Sequence, residues 1–387
     1  MRRAFRLLWP LLGVAGVGCT VNDTVGTLGG RVGYCARPGP AWMREARMER
    51  EACAGRLAAR TFPRALCVCG GLASSGVLTT HTGGASGTGE ASVGVEGFYS
   101  TSTGTTIDGA LQVDGSRGLE VSDSLTVAGT LRSQGPVFDT AVAKNASVVV
   151  GGDAWVGGRI ALRALKVGGL LYQAEGAMRE VTEPFPESQV RSGPLPPVAS
   201  ACGCEAPPPV AELVAANAPL SHNEDIGLAV DAFEDVPAGE TRARELPCGR
   251  FVLSGITGQG TVQLTVTGRA TLFVKEAVAV RRLEVRLAEE GELDLLVAGG
   301  LEATERLVLD AGSAPTRLRV YVGGALGVPK EHQLAAYLSA PGATVVMSEP
   351  LTLSGALNVG ALTHVPPLTV SYDPAVRALA EACSGGE

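Results

Sequence analysis

At 387 residues the chain has length for two domains or one long one, and a 45% apolar, 18% charged composition suits a buried core, which argues against a disordered polypeptide. Acidic residues outnumber basic ones, 39 to 32, and no basic tract occurs, so nucleic acid is not an expected partner. The 52 glycines set against 8 Phe, 6 Tyr and 3 Trp fit many tight turns around a Val, Leu and Ala core better than they fit a compact enzyme.

In chain order, Arg2, Arg3 and Arg6 precede the apolar run LLWPLLGVAGVG, too short to span a bilayer comfortably and right for a signal-peptide core, placed at residues 1–18. Gly16-Val17-Gly18-Cys19 resembles a bacterial lipobox, with Gly16 where Leu is usual. Cys19 would receive a diacylglycerol and become the mature N-terminus, and residues 19–33 would form a lipid-anchored tether. A plain secretory signal before a structural cysteine is the alternative. Thr20 stands where an Asp would retain a Gram-negative lipoprotein at the inner membrane, so the expected address is the outer membrane or cell surface. The expected partners are a membrane, through that anchor, and an envelope polysaccharide or protein.

Nine cysteines leave one odd, and assigning Cys19 to the lipid leaves Cys35, Cys53, Cys67, Cys69, Cys202, Cys204, Cys248 and Cys383. Cys67-Val68-Cys69 and Cys202-Gly203-Cys204 lack the two-to-four-residue spacing and nearby second pair of structural zinc sites, so disulfides are expected and metal is not. A bridge within Cys-x-Cys would close a strained ring, so each member needs a distant partner. The eight fall into two groups of four. The expected scheme joins Cys67 and Cys69 to Cys35 and Cys53, and Cys202 and Cys204 to Cys248 and Cys383.

Residues 34–73 read as a Cys-rich helical module. In AWMREARMEREACAGRLAAR, Trp42, Ala46, Cys53 and Leu57 share one helical stripe, and the arginines from Arg37 to Arg64 read as a solvated face paired with Glu. Residues 74–181 read as a first solenoid block, with Ser74 to Thr106 a Gly/Ser/Thr-rich loop passing into weak strands. From Leu119 a step of six lands on Leu125, Leu131, Val137, Ala143, Val149, Trp155, Ala161 and Val167, all apolar or small. With Gly turns between, that rhythm suits a β-solenoid and is shorter than the turn spacing of an antiparallel sandwich.

Residues 182–244 read as a connector: Pro184, Pro186, Pro194, Pro196, Pro197 and Pro207-Pro208-Pro209 exclude sheet and helix from Thr182 to Pro209, and a short helix at Val210–Asn217 and an irregular acidic stretch follow. Residues 245–376 form a second block of short β-branched runs cut by Gly turns, each apolar at every second position, and residues 377–387 a tail. The runs ELPCGRFVLSGI, LTVTGRATLFV, LDLLVAGGL, LRVYVGG, YLSAPGATVVMS, SGALNVGALT and LTVSYDPA resemble an uncharacterised β-helix domain family of exported bacterial proteins, seen in pilus-assembly-type proteins and myxobacterial lipoproteins. The resemblance implies a right-handed parallel β-helix closing near Tyr372-Asp373; it carries no known activity and no functional residues. The six-residue rhythm also resembles the bactofilin class of polymerising solenoids. The expected fold is therefore all-β, a right-handed parallel β-helix with a small disulfide-stapled helical N-terminal module.

Catalytic signatures are missing: there is no GxSxG, GxxxxGK or HExxH, and no GxGxxG after a strand. His81, His222, His332 and His364 stand alone, and Gly151-Gly152-Asp153 is a single copy of a calcium-repeat-like triplet. Asp153, Asp294, Asp310 and Asp373 are scattered, although two carboxylates one turn apart in a solenoid would lie about 4.8 Å from each other. The expectation is a non-catalytic envelope lipoprotein, a structural or adhesive β-helix scaffold with no catalytic residue, cofactor or metal. The alternative is a carbohydrate-active β-helix enzyme, a lyase or hydrolase using two carboxylates. An enzyme would present carboxylates in a groove; a scaffold would present a plain ladder of Thr, Val, Arg and Glu.

Overall fold

The computed structural model describes residues 30–37, 39–48, 50–83, 89–196 and 199–386; Cys19, the expected signal peptide and most of the expected tether lie outside them. Strands of two to six residues, and longer ones that turn a corner, stack in parallel register as a β-solenoid of about 13 turns. Each strand turns alternate side chains inward, as the every-second-residue apolar pattern demands.

The order of stacking is not the order of the chain. One inward column runs Phe251, Leu272, Leu295, Val320, Leu338 and Leu357, then continues through Leu66, Val93, Leu111, Leu131, Ala154, Leu171 and Val190. The stack thus begins with the second block at Thr241, reaches Tyr372, and passes without a break to the first block. At the junction Leu357–Val359 pairs with Leu66–Val68, Leu362–His364 with Leu72–Ser74, and Leu368–Tyr372 with Leu78–Thr82. The connector after Ser192 consequently has to return past the whole first block and along the second to reach Thr241.

In the first block three short strands make each turn, and the six-residue step is one inward-facing strand plus its corner. Leu119, Leu125, Leu131 and Val137 are buried as that rhythm requires, but Ala143 is exposed and Val149 and Trp155 point outward. A loop over residues 139–146 inserts extra residues and shifts the register, so the inward ladder resumes at Val148, Ala154 and Ile160. Asp139 organises the loop, its carboxylate accepting the N–H groups of Ala141, Asn145 and Ala146.

Ser74 to Thr106, expected to be mostly loop, already contains strands Leu78–Thr82, Val93–Val95, Tyr99–Thr101 and Thr105–Ile107. Its polar composition hid them because some inward positions are hydroxyls that satisfy one another. Thr105 Oγ1 bonds both Tyr99 Oη at 3.2 Å and Thr101 Oγ1 at 3.0 Å.

The N-terminal module departs from a single helix. Helix α1 spans Arg31–Ala36; Trp42–Arg44 and Glu51–Cys53 then form an antiparallel hairpin, and only Ala54–Thr61 is helical, as α2. Trp42 pairs directly with Cys53, which buries Trp42 and Met43 together in a way that a continuous helix through the charged 45–50 segment would not. This module covers the outward side of the second block. Phe62 packs on Tyr321 and Tyr337, and Tyr34 bonds Thr271. Helix α3, Val210–Asn217, joins the cover, with Asn217 Oδ1 accepting the Arg44 N–H at 2.7 Å. Helix α4, Ala375–Ala378, leads into the C-terminal segment that carries Cys383. The first turn is closed by the connector's end, where the Asn223 amide exchanges hydrogen bonds of 2.7 and 2.9 Å with Val252. At the far end Val190–Ser192, within the Pro-rich stretch expected to hold no sheet, adds a last strand beside Leu171–Gln173.

All eight described cysteines are bridged, but every bridge crosses between the two groups instead of staying within one. The pairs are Cys35–Cys248, Cys53–Cys383, Cys67–Cys202 and Cys69–Cys204, with Cα separations of 5.9, 5.8, 5.5 and 5.6 Å. The stacking order is the reason: the N-terminal segment lies against the second block, and the returning connector passes the turn that carries Cys67. Alternation puts Cys67 and Cys69 on one side, and Gly203, at φ +66°, lets Cys202 and Cys204 meet them as a pair. Gly94, next in register after Cys67, leaves room for the clasp, since a Cβ there would stand 2.7 Å from Cys202 Sγ. Non-reducing peptide mapping should return these four links and none within a group; a Cys35–Cys67 or Cys202–Cys248 peptide would contradict the stacking order.

Candidate functional site

Each carboxylate singled out in the sequence has a structural partner. Asp153 accepts the Leu170 N–H at 2.7 Å and shapes a corner. Asp310 sits on the surface beside Arg286 at 3.2 Å and Gln333 at 2.9 Å. Asp373 accepts the Ala375 N–H at 3.0 Å at the start of α4, and its carbonyl accepts the Tyr337 hydroxyl. No two of these four meet.

Asp294 differs from the other three. It lies fully buried under the N-terminal module and receives a two-pronged bond from Arg319, with Nε and Nη2 each at 2.7 Å, while Nη2 also reaches Glu292 at 2.5 Å. Burial pulls the Arg319 guanidinium down, but Asp294 and Glu292 outweigh it and set the group well above the usual arginine range. Glu292 and Asp294 are thus two carboxylates in one place. With a cation fixed between them and no exposed surface on Asp294, they cannot flank a glycosidic bond as acid and nucleophile.

The four histidines stay apart. His81 is exposed. The buried His222 accepts the Arg250 N–H through Nδ1 at 3.0 Å, and its ring meets Tyr34 edge-on at 5.5 Å. His332 faces the carbonyls of Pro329 and Pro350. His364 is fully buried, with Nδ1 against the Pro366 carbonyl at 3.0 Å and Nε2 without a hydrogen-bond partner. Burial pulls the His364 imidazole below its usual 6.5, and the bond to Pro366 offsets this only in part. The unfolded chain therefore takes up a proton near pH 6.5 that the fold refuses, so stability is full above about pH 6.5 and falls as the pH drops below it. Urea unfolding across that range should show the slope, and His364→Leu should flatten it; an identical slope in the variant would dismiss His364 as its source.

Outside the covered face, the second block shows a charged ladder. Glu305 lies 2.9 Å from Arg281 and 2.6 Å from Arg282, and Arg306 lies 3.5 Å from Glu284. These pairs are solvated and each contributes little. On the first block, Arg132, Trp155 and Tyr172 stand one above the other on successive turns. The two rings stack with centroids 5.2 Å apart, and the Arg132 guanidinium lies 4.4 Å from the Trp155 centroid. One face of Trp155 stacks on Tyr172 and the other on Arg132, so Trp155 is packed along the solenoid axis on both sides. Among the described residues no group of His, Cys, Asp and Glu is arranged to hold a metal ion.

The buried arginines are what sequence reading missed. Arg250 and Arg319 sit at positions that alternation marks as outward, and only the cover placed over them makes them interior. The repeat offers no regular interval by which Asp294 and Arg319 could have been matched.

No curated protein and no solved structure matches the chain. Residues 210–379, which take in α3 and the whole second block, match the family model described as a domain of unknown function (DUF7305).

Proposed function

We propose that this protein is a non-catalytic lipoprotein of the Gram-negative cell envelope, anchored through Cys19 at the outer membrane or cell surface, whose solenoid is a structural or adhesive scaffold. Right-handed winding, the rule for parallel crossovers, goes with this reading, as does kinship with the β-helix domains of exported pilus-assembly-type proteins and lipoproteins. The observation that carries it is the outward column Thr352, Thr369, Thr79, Thr106 and Thr126, which crosses the junction between the blocks in unbroken register. With the paired charges of the second block, it makes the plain ladder of Thr, Arg and Glu expected of a display surface. Four disulfides suit an oxidising compartment, and among the described residues no helix is long and apolar enough to cross a membrane.

Cell fractionation combined with protease treatment of intact cells tests the reading. The protein is expected in the outer-membrane fraction, radiolabelled by palmitate, and Cys19→Ser should abolish both the label and the membrane association. An unlabelled protein that begins downstream of Cys19 would end the lipoprotein assignment.

A further inference from the structure

Beside the Cys67–Cys202 clasp a cleft of ≈ 590 Å³ opens between α2, α4 and the returning connector. That volume is within the range of small-ligand sites. Its charged lining is Arg60, Arg64 and Arg377 against the single carboxylate of Glu90, on a chain whose net charge is −7. Glu90 is already paired with Arg377. Arg64 is held in one orientation by the Ala201 carbonyl, 2.6 Å from Nε, and by Gln112 Oε1, 2.9 Å from Nη2. Burial draws its guanidinium below the usual arginine range, and Asp114 offsets that only in part. The nearby carboxylates of Asp114 and Glu96 are turned to the connector, accepting the N–H groups of Ala201, Cys202 and Cys204. Ser92 and Ser200 line the wall; Ser200 Oγ already donates to Glu96 and accepts the Gly203 N–H at 2.8 Å, while Ser92 Oγ accepts the Ala110 N–H at 3.0 Å and keeps its own proton for a ligand.

We infer that this cleft binds an acidic saccharide, its carboxylate received by the arginine cluster and its ring hydroxyls by the serine wall. A guanidinium fork matches a carboxylate's two oxygens; Arg64 spends Nε and Nη2 on Ala201 and Gln112 and supplies fixed positive charge, so the receiving fork is that of the exposed Arg60. A lipid headgroup fits the position less well. The tether enters at the first turn, where Arg31 Nε donates to the Cys248 carbonyl. The clasp lies six stacking steps further on, roughly 29 Å at the usual strand spacing. The inference rests on the envelope reading only for where such a saccharide would be met, and binding is measured independently of localisation.

Calorimetric titration of the full chain carrying Cys19→Ser, in detergent-free buffer, with oligogalacturonate, neutral galacto-oligosaccharide and phosphatidylglycerol-containing phosphatidylcholine vesicles tests it. Oligogalacturonate should bind and the neutral oligomer should not. Arg60→Glu and Arg377→Ala, both at exposed positions, should weaken binding about ten- to hundredfold with unchanged thermal unfolding, while Arg163→Glu at the far end of the solenoid should leave it intact. Failure of the Cys19→Ser chain to bind oligogalacturonate, or binding that survives Arg60→Glu, overturns the site. Vesicle binding lost in Arg60→Glu without any oligogalacturonate binding would overturn the saccharide assignment in favour of lipid headgroups.

Discussion

Leu295→Asp is expected to yield no folded protein. Leu295 is 1% exposed and stands in the inward column between Leu272 and Val320. Losing a fully buried leucine removes about 1.5–3 kcal/mol. The introduced carboxylate does more damage still, because it meets only aliphatic neighbours in the column and would cost several kcal/mol more even if it protonated. A domain's whole margin is about 5–15 kcal/mol, and a turn in the middle of a stack cannot unfold without exposing the turns on both sides. Far-UV circular dichroism and size-exclusion chromatography of the purified variant provide the check. A monomer with the wild-type β spectrum would show that the column is not sealed at this turn.

The adjacent residue is expected to behave in the opposite way. Asp294→Ala should destabilise by about 3–5 kcal/mol, because it strands the fully buried Arg319 with only Glu292 to balance it. A carboxylate that reads as merely scattered in the sequence is thus expected to hold the covered face together. The double change Asp294→Leu with Arg319→Met should recover most of the loss, since an apolar pair under the cover needs no charge compensation. Asp310→Ala, on the surface, should stay within about 0.5 kcal/mol of wild type. Urea unfolding under non-reducing conditions measures all three; equal midpoints for Asp294→Ala and Asp310→Ala would mean that the module does not cover Asp294.

Both predictions concern one strand, and they separate what could be read locally from what could not. That Leu295 points inward follows from the alternation in ELDLLV, because neighbouring side chains in a strand take opposite faces whatever lies above and below. That Asp294 is interior too depends on a module more than two hundred residues away in sequence folding over the outward face, and nothing in the local pattern encodes that cover.

The residues themselves dictate the kind of structure: short alternating runs with Gly corners can bury a core only by stacking, and eight cysteines are enough to pair completely. Only the assembled fold sets the order of the stack, with residues 241–372 ahead of residues 66–192. A three-residue strand such as Leu66–Val68 offers the same inward Leu and Val to any neighbouring turn, so its own residues do not select Leu357–Val359 as its partner. The choice is made by the whole assembly: the junction continues the inward column across the two blocks, and the connector's return brings Cys202 and Cys204 to Cys67 and Cys69. Once the stack is ordered in that way, bridges across the two cysteine groups become the short ones, and the arginine cleft forms where the connector, α2 and α4 are brought together.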